Sequence, residues 1–523
     1  MSATTTIELV EGSKLRAQEV PDRGIATNPP NPVVAPTSAK VEKKGTTAVI
    51  ITTIAGVTMI SSLLNGLITI SLPVIARELQ ISDALLLWPT SIYSLTCGCT
   101  LILSGAVADV VGPRNMYLAG TFLQSVFTLA CGLSKTSIQL IVFRALAGIA
   151  ISFCLPSAVS LIMTLFPSGR RRNLAFGAMG GGQPLGFTIG LVAGGALTDA
   201  GGWQIGLYLA AGINSLLFLL AFFGLPKLNR QTALTFARFK HEVDWVGAFI
   251  LSTALALLLY VFATWTGDLA NIRSPESISC LVIGAALLPA FAIWVHRQEK
   301  LGNAVLIRNT LWRNKAFTSI CINVAIINGS FNATEIFMTF LFQDVQGLSA
   351  TAASVRFLPE PVVGTTINVL IGLFVHRLRV SWALQISFIV SALSPLLLAV
   401  MRDGSSYWEF EFPAVALVPI ASDVLYTISQ LIITAEFEEN TQALAGGVFN
   451  TVAQIGKSVG IALSAVVASS ITAKAGSSHT PHEDDLLKGY RAAWWFAFAG
   501  TAACIFVTLY GLRGLGKVGL KRD

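Results

Sequence analysis

The chain has 523 residues, of which 53% are hydrophobic and only 12% are charged, and its mean hydropathy is +0.68. These values exclude an ordinary soluble globular protein and predict an integral membrane protein that crosses the bilayer many times. The net charge of +7 is spread over short segments between apolar stretches, so it forms no basic face that would bind nucleic acid.

Residues 1–45 are predicted to form a disordered cytoplasmic tail. They carry five prolines, scattered charges and no apolar periodicity, so they cannot bury enough surface to fold alone. They also lack the basic start, apolar stretch and cleavage site of a secretory signal peptide. We therefore expect the first membrane span to direct insertion.

Long apolar stretches, bounded by charged or turn residues, recur from residue 47 almost to the C-terminus. Each has the roughly 20 residues that a helix needs to cross a hydrocarbon core of about 30 Å. The fourteen predicted spans lie near residues 47–74, 84–106, 115–133, 138–162, 173–197, 204–224, 246–265, 276–295, 317–342, 352–375, 381–401, 412–433, 445–470 and 490–513. The predicted fold is therefore an all-α polytopic membrane protein.

A weak internal repeat divides these spans. Gly202-Trp203 opens span 6 and Gly489-Tyr490 opens span 14, and each pair precedes an aromatic and alanine-rich stretch. We predict two six-helix bundles with two extra spans between them, as in transporters that are built from repeats and bind substrate at the repeat interface. The predicted domains are the tail 1–45, the bundles 46–225 and 317–513, the two-helix insert 226–316 and a cytoplasmic C-terminal tail 514–523.

Lysine and arginine predict the orientation of the spans. They are concentrated in the segments that lie on the same side as the two termini, most clearly in Arg170-Arg171-Arg172 between spans 4 and 5. Cytoplasmic loops carry such an excess, so we predict that both termini are cytoplasmic. The arginine trio is interpreted as a topology anchor rather than a nucleic-acid patch.

Several other functional classes are disfavoured by the sequence. All seven cysteines fall inside predicted spans and are interpreted as packing residues, so neither a metal site nor a cofactor is predicted. The histidines lie in loops or at span ends without a catalytic constellation, which argues against an enzyme. Gly456-Lys457-Ser458 resembles the end of a phosphate loop, but Thr451 replaces the required first glycine and no soluble nucleotide domain is visible.

The loop after span 2 contains a glycine and charge motif. Its residues are Gly105, Asp109, Gly112 and Arg114, with an aspartate near the helix end and glycines that permit a tight turn. It resembles the loop 2–3 signature of the major facilitator superfamily. The resemblance implies that Asp109 pairs with basic groups to hold the two halves together, although the usual basic cluster is reduced to Arg114.

Span 4 contains Arg144 in the sequence Arg-Ala-Leu-Ala-Gly, which is similar to the arginine motif of the same superfamily. A buried arginine is costly in lipid and is expected to face the bundle interior or a wet cavity. A functional arginine and a structural arginine that hydrogen-bonds backbone carbonyls are both compatible with this position.

Span 5 carries glycines at four-residue intervals, which leave one helix face as bare backbone and allow another helix to approach closely. Pro184 is expected to bend the helix. The glycines of this row are Gly182, Gly186, Gly190 and Gly194. The pattern resembles the antiporter motif of the drug:proton branch, with Gly190-Leu191 where that motif has Gly-Pro; close helix packing alone is the alternative.

Two further segments resemble the 14-span drug:proton antiporters of this superfamily. They are Asp244-Trp245-Val246-Gly247 before span 7 and Asn450 to Gly456 in span 13. The resemblance extends over nearly the whole chain after the tail and implies a fungal-type multidrug or toxin exporter at the plasma membrane, with the vacuolar membrane as the alternative location. Many relatives keep an acidic residue in span 1, whereas this chain has Leu64-Asn65-Gly66.

Acidic residues within the spans are the candidates for proton coupling, because each is expensive to bury. Glu335, Glu360 and Asp423 are predicted at membrane depth, and we expect Asp423 to pair with Lys457 and Glu360 to contact Arg356 one turn earlier. Asp423 or Glu335 is hypothesised to exchange protons, with Arg144, Lys457 and Glu360 as further candidates. Permanently paired charges that hold helices together are the alternative.

Aromatic and amide residues within the spans are candidates for substrate binding, because binding pockets are mostly apolar with a few oriented polar groups. The candidates are Trp88, Tyr93, Gln183, Asn323, Asn328, Phe331, Tyr426, Gln430 and Gln454. Each of them also suits ordinary packing.

The combined prediction is a monomeric secondary transporter that exports small hydrophobic organic compounds by proton antiport with alternating access. Its expected partners are the solute, protons and the lipid bilayer. Uptake by symport or facilitated diffusion, and a non-transporting membrane sensor on the same fold, remain alternatives.

Overall fold

The computed structural model describes residues 44–82, 85–166, 170–226, 243–267, 269–303, 305–307, 309–374, 379–402, 404–437, 439–475 and 483–513. The C-terminal tail and all but the last two residues of the N-terminal tail lie outside these ranges. The α-helices of the described residues are α1 (Lys44–Glu78), α2 (Trp88–Val111), α3 (Pro113–Gly132), α4 (Ser137–Leu165), α5 (Arg170–Gly201), α6 (Trp203–Gly224), α7 (Trp245–Gly267), α8 (Pro275–Lys300), α9 (Lys315–Phe340), α10 (Ala350–Arg356), α11 (Pro359–Phe374), α12 (Val380–Ala399), α13 (Glu411–Leu417), α14 (Pro419–Glu436), α15 (Glu439–Ala475) and α16 (Glu483–Gly511).

Each predicted span overlaps one long helix or a pair of short ones. Span 10 is divided into α10 and α11, and span 12 into α13 and α14, with Pro359 and Pro419 opening the second helix of each pair. Proline has no amide hydrogen to continue a helical ladder, which favours an interruption at these two positions. The all-helical membrane architecture is confirmed.

Eleven helical segments of the described residues are long and apolar enough to cross a membrane. The predicted spans outside this set correspond to α3, α5 and α11. Helix α11 has only 16 residues, and α5 is rich in glycine. The count of fourteen spans therefore stays a prediction.

Helices α1 and α5 run parallel and touch backbone to backbone. A Cβ atom on Gly186 would lie 2.1 Å from the carbonyl oxygen of Met59, and one on Gly190 would lie 2.1 Å from that of Leu63. From α1, a Cβ on Gly66 would lie 2.2 Å from the Phe187 carbonyl oxygen. The glycine row of α5 is therefore the surface against which α1 packs.

The same arrangement recurs between α9 and α15. A Cβ atom on Gly456 would lie 2.3 Å from the Cα of Ala325, and one on Gly460 would lie 2.2 Å from the Cα of Gly329. The contact advances by four residues on both helices, so they are also parallel. These helices are the first and fifth of the second predicted bundle, as α1 and α5 are of the first.

Helix α7 packs against both α2 and α15, and α8 packs against α7. Leu251 and Leu255 of α7 belong to one buried apolar cluster with Leu95 of α2 and Phe449 of α15. The Ser252 hydroxyl also lies 3.5 Å from the carbonyl oxygen of Cys99. The first helix of the predicted insert therefore covers the junction between α2 and α15.

Asp244 joins three segments at the start of α7. Its Oδ1 accepts hydrogen bonds from the Gly247 amide at 2.8 Å and the Trp294 indole at 3.0 Å, while Oδ2 accepts one from the Leu306 amide at 3.3 Å. The carboxylate is buried. The Asp-Trp-Val-Gly motif thus fixes α7 to α8 and to the segment before α9.

We expect Asp244→Ala to lower the thermal midpoint of the purified protein, because three buried or partly buried donors lose their acceptor. The loss of stability should be about 1–3 kcal/mol. The loss of stability should be smaller for Asp244→Asn, because the amide oxygen of asparagine still accepts hydrogen bonds. Thermal denaturation followed by size-exclusion chromatography measures the effect, and an unchanged midpoint in Asp244→Ala would contradict the joining role.

Candidate functional site

Arg144 of α4 is almost completely buried and is held by neutral groups. Its Nε donates to the Pro89 carbonyl oxygen at 2.9 Å and its Nη2 donates to Asn65 Oδ1 at 3.2 Å. The guanidinium also lies 4.3 Å from the centre of the Tyr93 ring, a cation–π contact. Arg144 does bond a backbone carbonyl, as the structural alternative expected, but it also holds two side chains.

Asn65 of α1 lies in the segment where the sequence analysis noted no acidic residue. Its amide nitrogen donates to the Ser61 carbonyl oxygen at 3.1 Å, and the Ser61 hydroxyl is 2.6 Å from the Tyr93 hydroxyl. Within the described part of the chain, Arg144 has no carboxylate at ion-pair distance. Dipoles rather than an opposite charge therefore stabilise this buried cation.

The acidic candidates of the second predicted bundle lie close together. The carboxyl groups of Glu335 on α9 and Glu360 on α11 are within hydrogen-bonding reach of each other, and both side chains are buried. Asp423 on α14 interacts electrostatically with Glu360 and is hydrogen-bonded to the Asn368 side chain. We call Glu335, Glu360 and Asp423 the acidic cluster.

Each member of the acidic cluster keeps one buried oxygen without a hydrogen-bond partner. These atoms are Glu335 Oε1, Glu360 Oε2 and Asp423 Oδ2. Buried carboxylate oxygens normally find donors, and leaving them without one costs free energy. The cluster can therefore accept protons or a donor group that the described residues do not provide.

Lys457 of α15 lies near the acidic cluster and near Arg144. It interacts electrostatically with Glu335 and with Arg144, which belongs to the first predicted bundle. We expected Lys457 beside Asp423, but Asp423 is bonded to Asn368 instead. Charged groups from both bundles thus meet in the centre of the molecule.

Arg356 also pairs with a residue other than the expected one. Its Nη1 lies 2.9 Å from Glu411 Oε2, and its guanidinium lies over the rings of Phe342 and Tyr407. Glu360, one turn later, is directed to Glu335. Arg356 is therefore a structural cation that joins α10 to α13.

The aromatic and amide candidates fall into separate environments. Asn328 on α9 donates to the Tyr426 hydroxyl on α14 at 3.4 Å, so the structure brings these two together. Asn323 is buried and donates to the Thr508 hydroxyl on α16 at 2.9 Å, a packing contact. Phe331 lines a small cavity inside the second predicted bundle with Ser391, Pro395 and Thr501, among others.

The remaining candidates differ in their burial and in their position. The indole nitrogen of Trp88 is buried without a partner at the start of α2. Gln454 lies against Gly98, where α15 meets α2. Gln183 and Gln430 are exposed.

The α5 motif faces α1 rather than the central charges. A Cβ on Gly182 would lie 3.2 Å from the Ala55 carbonyl oxygen, and one on Gly194 would lie 3.0 Å from the Leu67 Cα. Pro184 lies inside the helix beside this row. These contacts support helix packing as the role of the glycines.

The loop 2–3 motif makes its described contacts within the first six helices. Gly112 has φ +97°, a left-handed conformation that suits glycine and separates α2 from α3. Arg114 donates through Nε to the Leu225 carbonyl oxygen at 3.0 Å and through Nη2 to that of Phe222 at 2.9 Å, at the end of α6. Asp109 is exposed. A Cβ atom on Gly105 would lie 3.5 Å from the Pro156 side chain.

The described contacts differ between the two faces of the bundle. Where α5 ends and α10 begins, Gln343 Nε2 donates to the Ile70 carbonyl oxygen at 2.7 Å and Asp199 accepts from the Thr351 amide at 2.8 Å. We call this the closed face. Toward the opposite face, in the first third of α5 and of α15, a Cβ atom on Gly180 or Gly447 would have no atom within 4 Å. We call this the open face.

Glu411, Asp199 and Asn368 were missed by the sequence analysis. Asp199 follows the predicted end of span 5 by two residues, and Glu411 precedes span 12 by one. Asn368 is an amide residue within span 10, and its position in the sequence does not distinguish it from its neighbours. Acidic residues just beyond span ends were the available signal for the first two.

A polytopic helical bundle with charges at its centre and one closed face defines a membrane transport protein by its fold. The family model described as Major Facilitator Superfamily matches residues 54–461. The chain belongs to the major facilitator superfamily.

Individual relatives differ in their described activities. MFS-type transporter 1 of Pyricularia oryzae is 38% identical, with 95% of this chain and 89% of that protein covered. The low affinity ammonium transporter of Saccharomyces cerevisiae is 24% identical over 80% of this chain and 79% of its own. The efflux pump terJ of Aspergillus terreus is 23% identical over 84% of this chain and 83% of its own.

The fold also matches solved structures. A bacterial homolog of the human lysosomal transporter Spinster, crystallised in an inward-facing and occupied conformation, gives a TM-score of 0.64 at 15% identity. The match covers 90% of this chain and 98% of that one. At this identity the match establishes the fold alone.

Proposed function

We propose that this protein exports small hydrophobic organic compounds by proton antiport with alternating access, as a member of the 14-span drug:proton antiporters. It acts as a monomer in the plasma membrane with both termini in the cytoplasm. The acidic cluster exchanges the protons, and the solute binds between the two six-helix bundles.

The observation that carries this proposal is the acidic cluster itself. Three carboxyl groups from α9, α11 and α14 meet at membrane depth with an unpartnered oxygen on each. Buried carboxylates are expensive in a membrane, and permanent ion pairing would give each oxygen a partner. Reversible protonation would give these costly buried carboxyl groups a function.

The two faces support alternating access. The halves touch at the closed face, whereas Gly180 and Gly447 border open space at the open face. The distribution of lysine and arginine assigns the open face to the cytoplasm. Exposed Asp109 and the α6-bound Arg114 lie at the open face, where they are available to hold the halves together when that face closes. The described conformation thus suits loading from the cytoplasm.

Export is favoured over uptake by the efflux pump among the relatives. The ammonium transporter relative supports the alternative of a small-solute symporter or facilitator. A non-transporting sensor on this fold is the further alternative, and lack of any solute flux would favour it.

The test uses inside-out plasma-membrane vesicles with an acidic lumen, from cells that express the protein and from cells that do not. Adding members of a panel of hydrophobic organic compounds should cause proton release from the lumen only when the protein is present. Accumulation of the same compounds by intact cells, instead of depletion, would overturn the export assignment.

A further inference from the structure

The closed face contains a carboxylate that crosses from one half of the protein to the other. Asp199, near the end of α5, accepts a hydrogen bond from the Thr351 amide in the first turn of α10 at 2.8 Å. The Ser349 side chain and the Ala350 amide bind the same carboxylate. Asp199 therefore caps a helix that belongs to the other predicted bundle.

The backbone around Asp199 is fixed on both sides. A Cβ on Gly195, one turn earlier, would lie 2.5 Å from the Ala350 carbonyl oxygen, so the two chains are in direct contact. The Thr351 hydroxyl donates to the Gly195 carbonyl oxygen at 3.3 Å. The Thr198 hydroxyl is 2.8 Å from that of Ser71 on α1, which holds the end of α5 to its own half.

The chemistry of this contact makes it strong but reversible. The first amides of a helix have no partner within the helix, and the helix dipole favours a negative charge there. Burial raises the pKa of Asp199, but the hydrogen bonds from Thr351, Ser349 and Ala350 outweigh it and leave the pKa below its usual value. Because the Thr351 amide is exposed, water can replace the carboxylate when the halves separate.

We propose that Asp199 is the releasable latch of the closed face: its capping of α10 stabilises the conformation that is open on the opposite face, and its release accompanies opening. This inference rests on the alternating access of the proposed function. The role is distinct from proton exchange, because Asp199 lies at the surface end of α5 and not in the acidic cluster.

The test measures distances between spin labels across each face in the full-length protein. Lys135 and Glu409 are exposed and flank the closed face, one in each half; Asn115 and Arg379 are exposed and flank the open face. Cysteines at each pair of positions, in a background with the partly exposed Cys280 replaced by serine, carry the labels.

Asp199→Ala should shift the labels at the closed face toward the longer distance and those at the open face toward the shorter one. The ratio of molecules in which the closed face has opened to molecules in which it remains shut should rise roughly three- to tenfold. This is the scale expected for the loss of one helix cap. Asp199→Asn should fall between wild type and alanine, because asparagine still accepts a hydrogen bond but carries no charge.

Asp485→Ala is the matched control, since Asp485 lies on the same face but is paired with Lys488 in its own helix at 3.1 Å. One contrary outcome is that the wild type shows two distance populations that Asp199→Ala leaves unchanged or that Asp485→Ala shifts equally. Either result would overturn the latch and would leave alternating access in place. A single distance at both faces in the wild type, at every pH tested, would instead overturn the alternating access of the proposed function.

Discussion

Glu335→Gln is expected to abolish proton coupling while leaving the protein folded. Glutamine has nearly the same shape and can still donate a hydrogen bond to Glu360, but it cannot take up or release a proton. Substrate-dependent proton release from inside-out vesicles should fall by at least about tenfold, as expected when a proton-transfer group is lost. Exchange of labelled for unlabelled solute, which requires no net proton movement, should persist.

Glu411→Gln is the control for this result. Glu411 is also a buried glutamate of the second predicted bundle, but its carboxylate is paired with Arg356 at 2.9 Å. This variant is expected to lose thermal stability and to keep its ratio of protons to solute. Glu360→Gln and Asp423→Asn extend the series, and a member of the acidic cluster whose neutral variant keeps full coupling is not the proton carrier.

Gly190→Leu is expected to prevent the protein from folding, and Gly190→Ala to destabilise it. Even the methyl group of alanine would lie 2.1 Å from the Leu63 carbonyl oxygen, so α1 and α5 must move apart. Overpacking of this kind costs about 1–3 kcal/mol and exceeds the 0.5–1 kcal/mol or so that alanine gains over glycine within a helix. The thermal midpoint of the purified alanine variant should therefore fall by several degrees.

Gly180→Ala on the same helix is the matched control. Nothing lies within 4 Å of a Cβ at Gly180, so only the helix preference of alanine acts there. We expect an unchanged or slightly higher midpoint. If Gly190→Ala and Gly180→Ala changed the thermal midpoint equally, the packing role of the glycine row that faces α1 would be disproved.

The membrane architecture was predictable from the sequence because it depends on local composition. A stretch of about 20 apolar residues must lie in the bilayer, so the positions of the helices followed from hydropathy. The glycines of α5 likewise predicted a bare helix face. The two divided spans were not expected, although Pro359 and Pro419 are visible in the sequence, because a proline ends or kinks a membrane helix only according to its surroundings.

The choice of partners required the tertiary structure. Depth in the membrane suggested that Asp423 would meet Lys457, but depth does not determine the direction in which a side chain leaves its helix. In the structure Asp423 faces Asn368 and Glu360, while Lys457 interacts with Glu335. Sequence spacing similarly suggested Arg356 with Glu360, whereas the break before Pro359 turns Arg356 toward Glu411.

By itself, the sequence determined that the chain is a helical membrane protein, which residues are costly to bury and which helix has a bare glycine face. Only the tertiary structure decided that this face meets α1, that three distant acidic residues form one cluster, and that Asp199 caps α10 across the halves. The reason is that hydropathy and helix periodicity act over a few residues, whereas helix rotation and pairing depend on contacts between residues far apart in the chain.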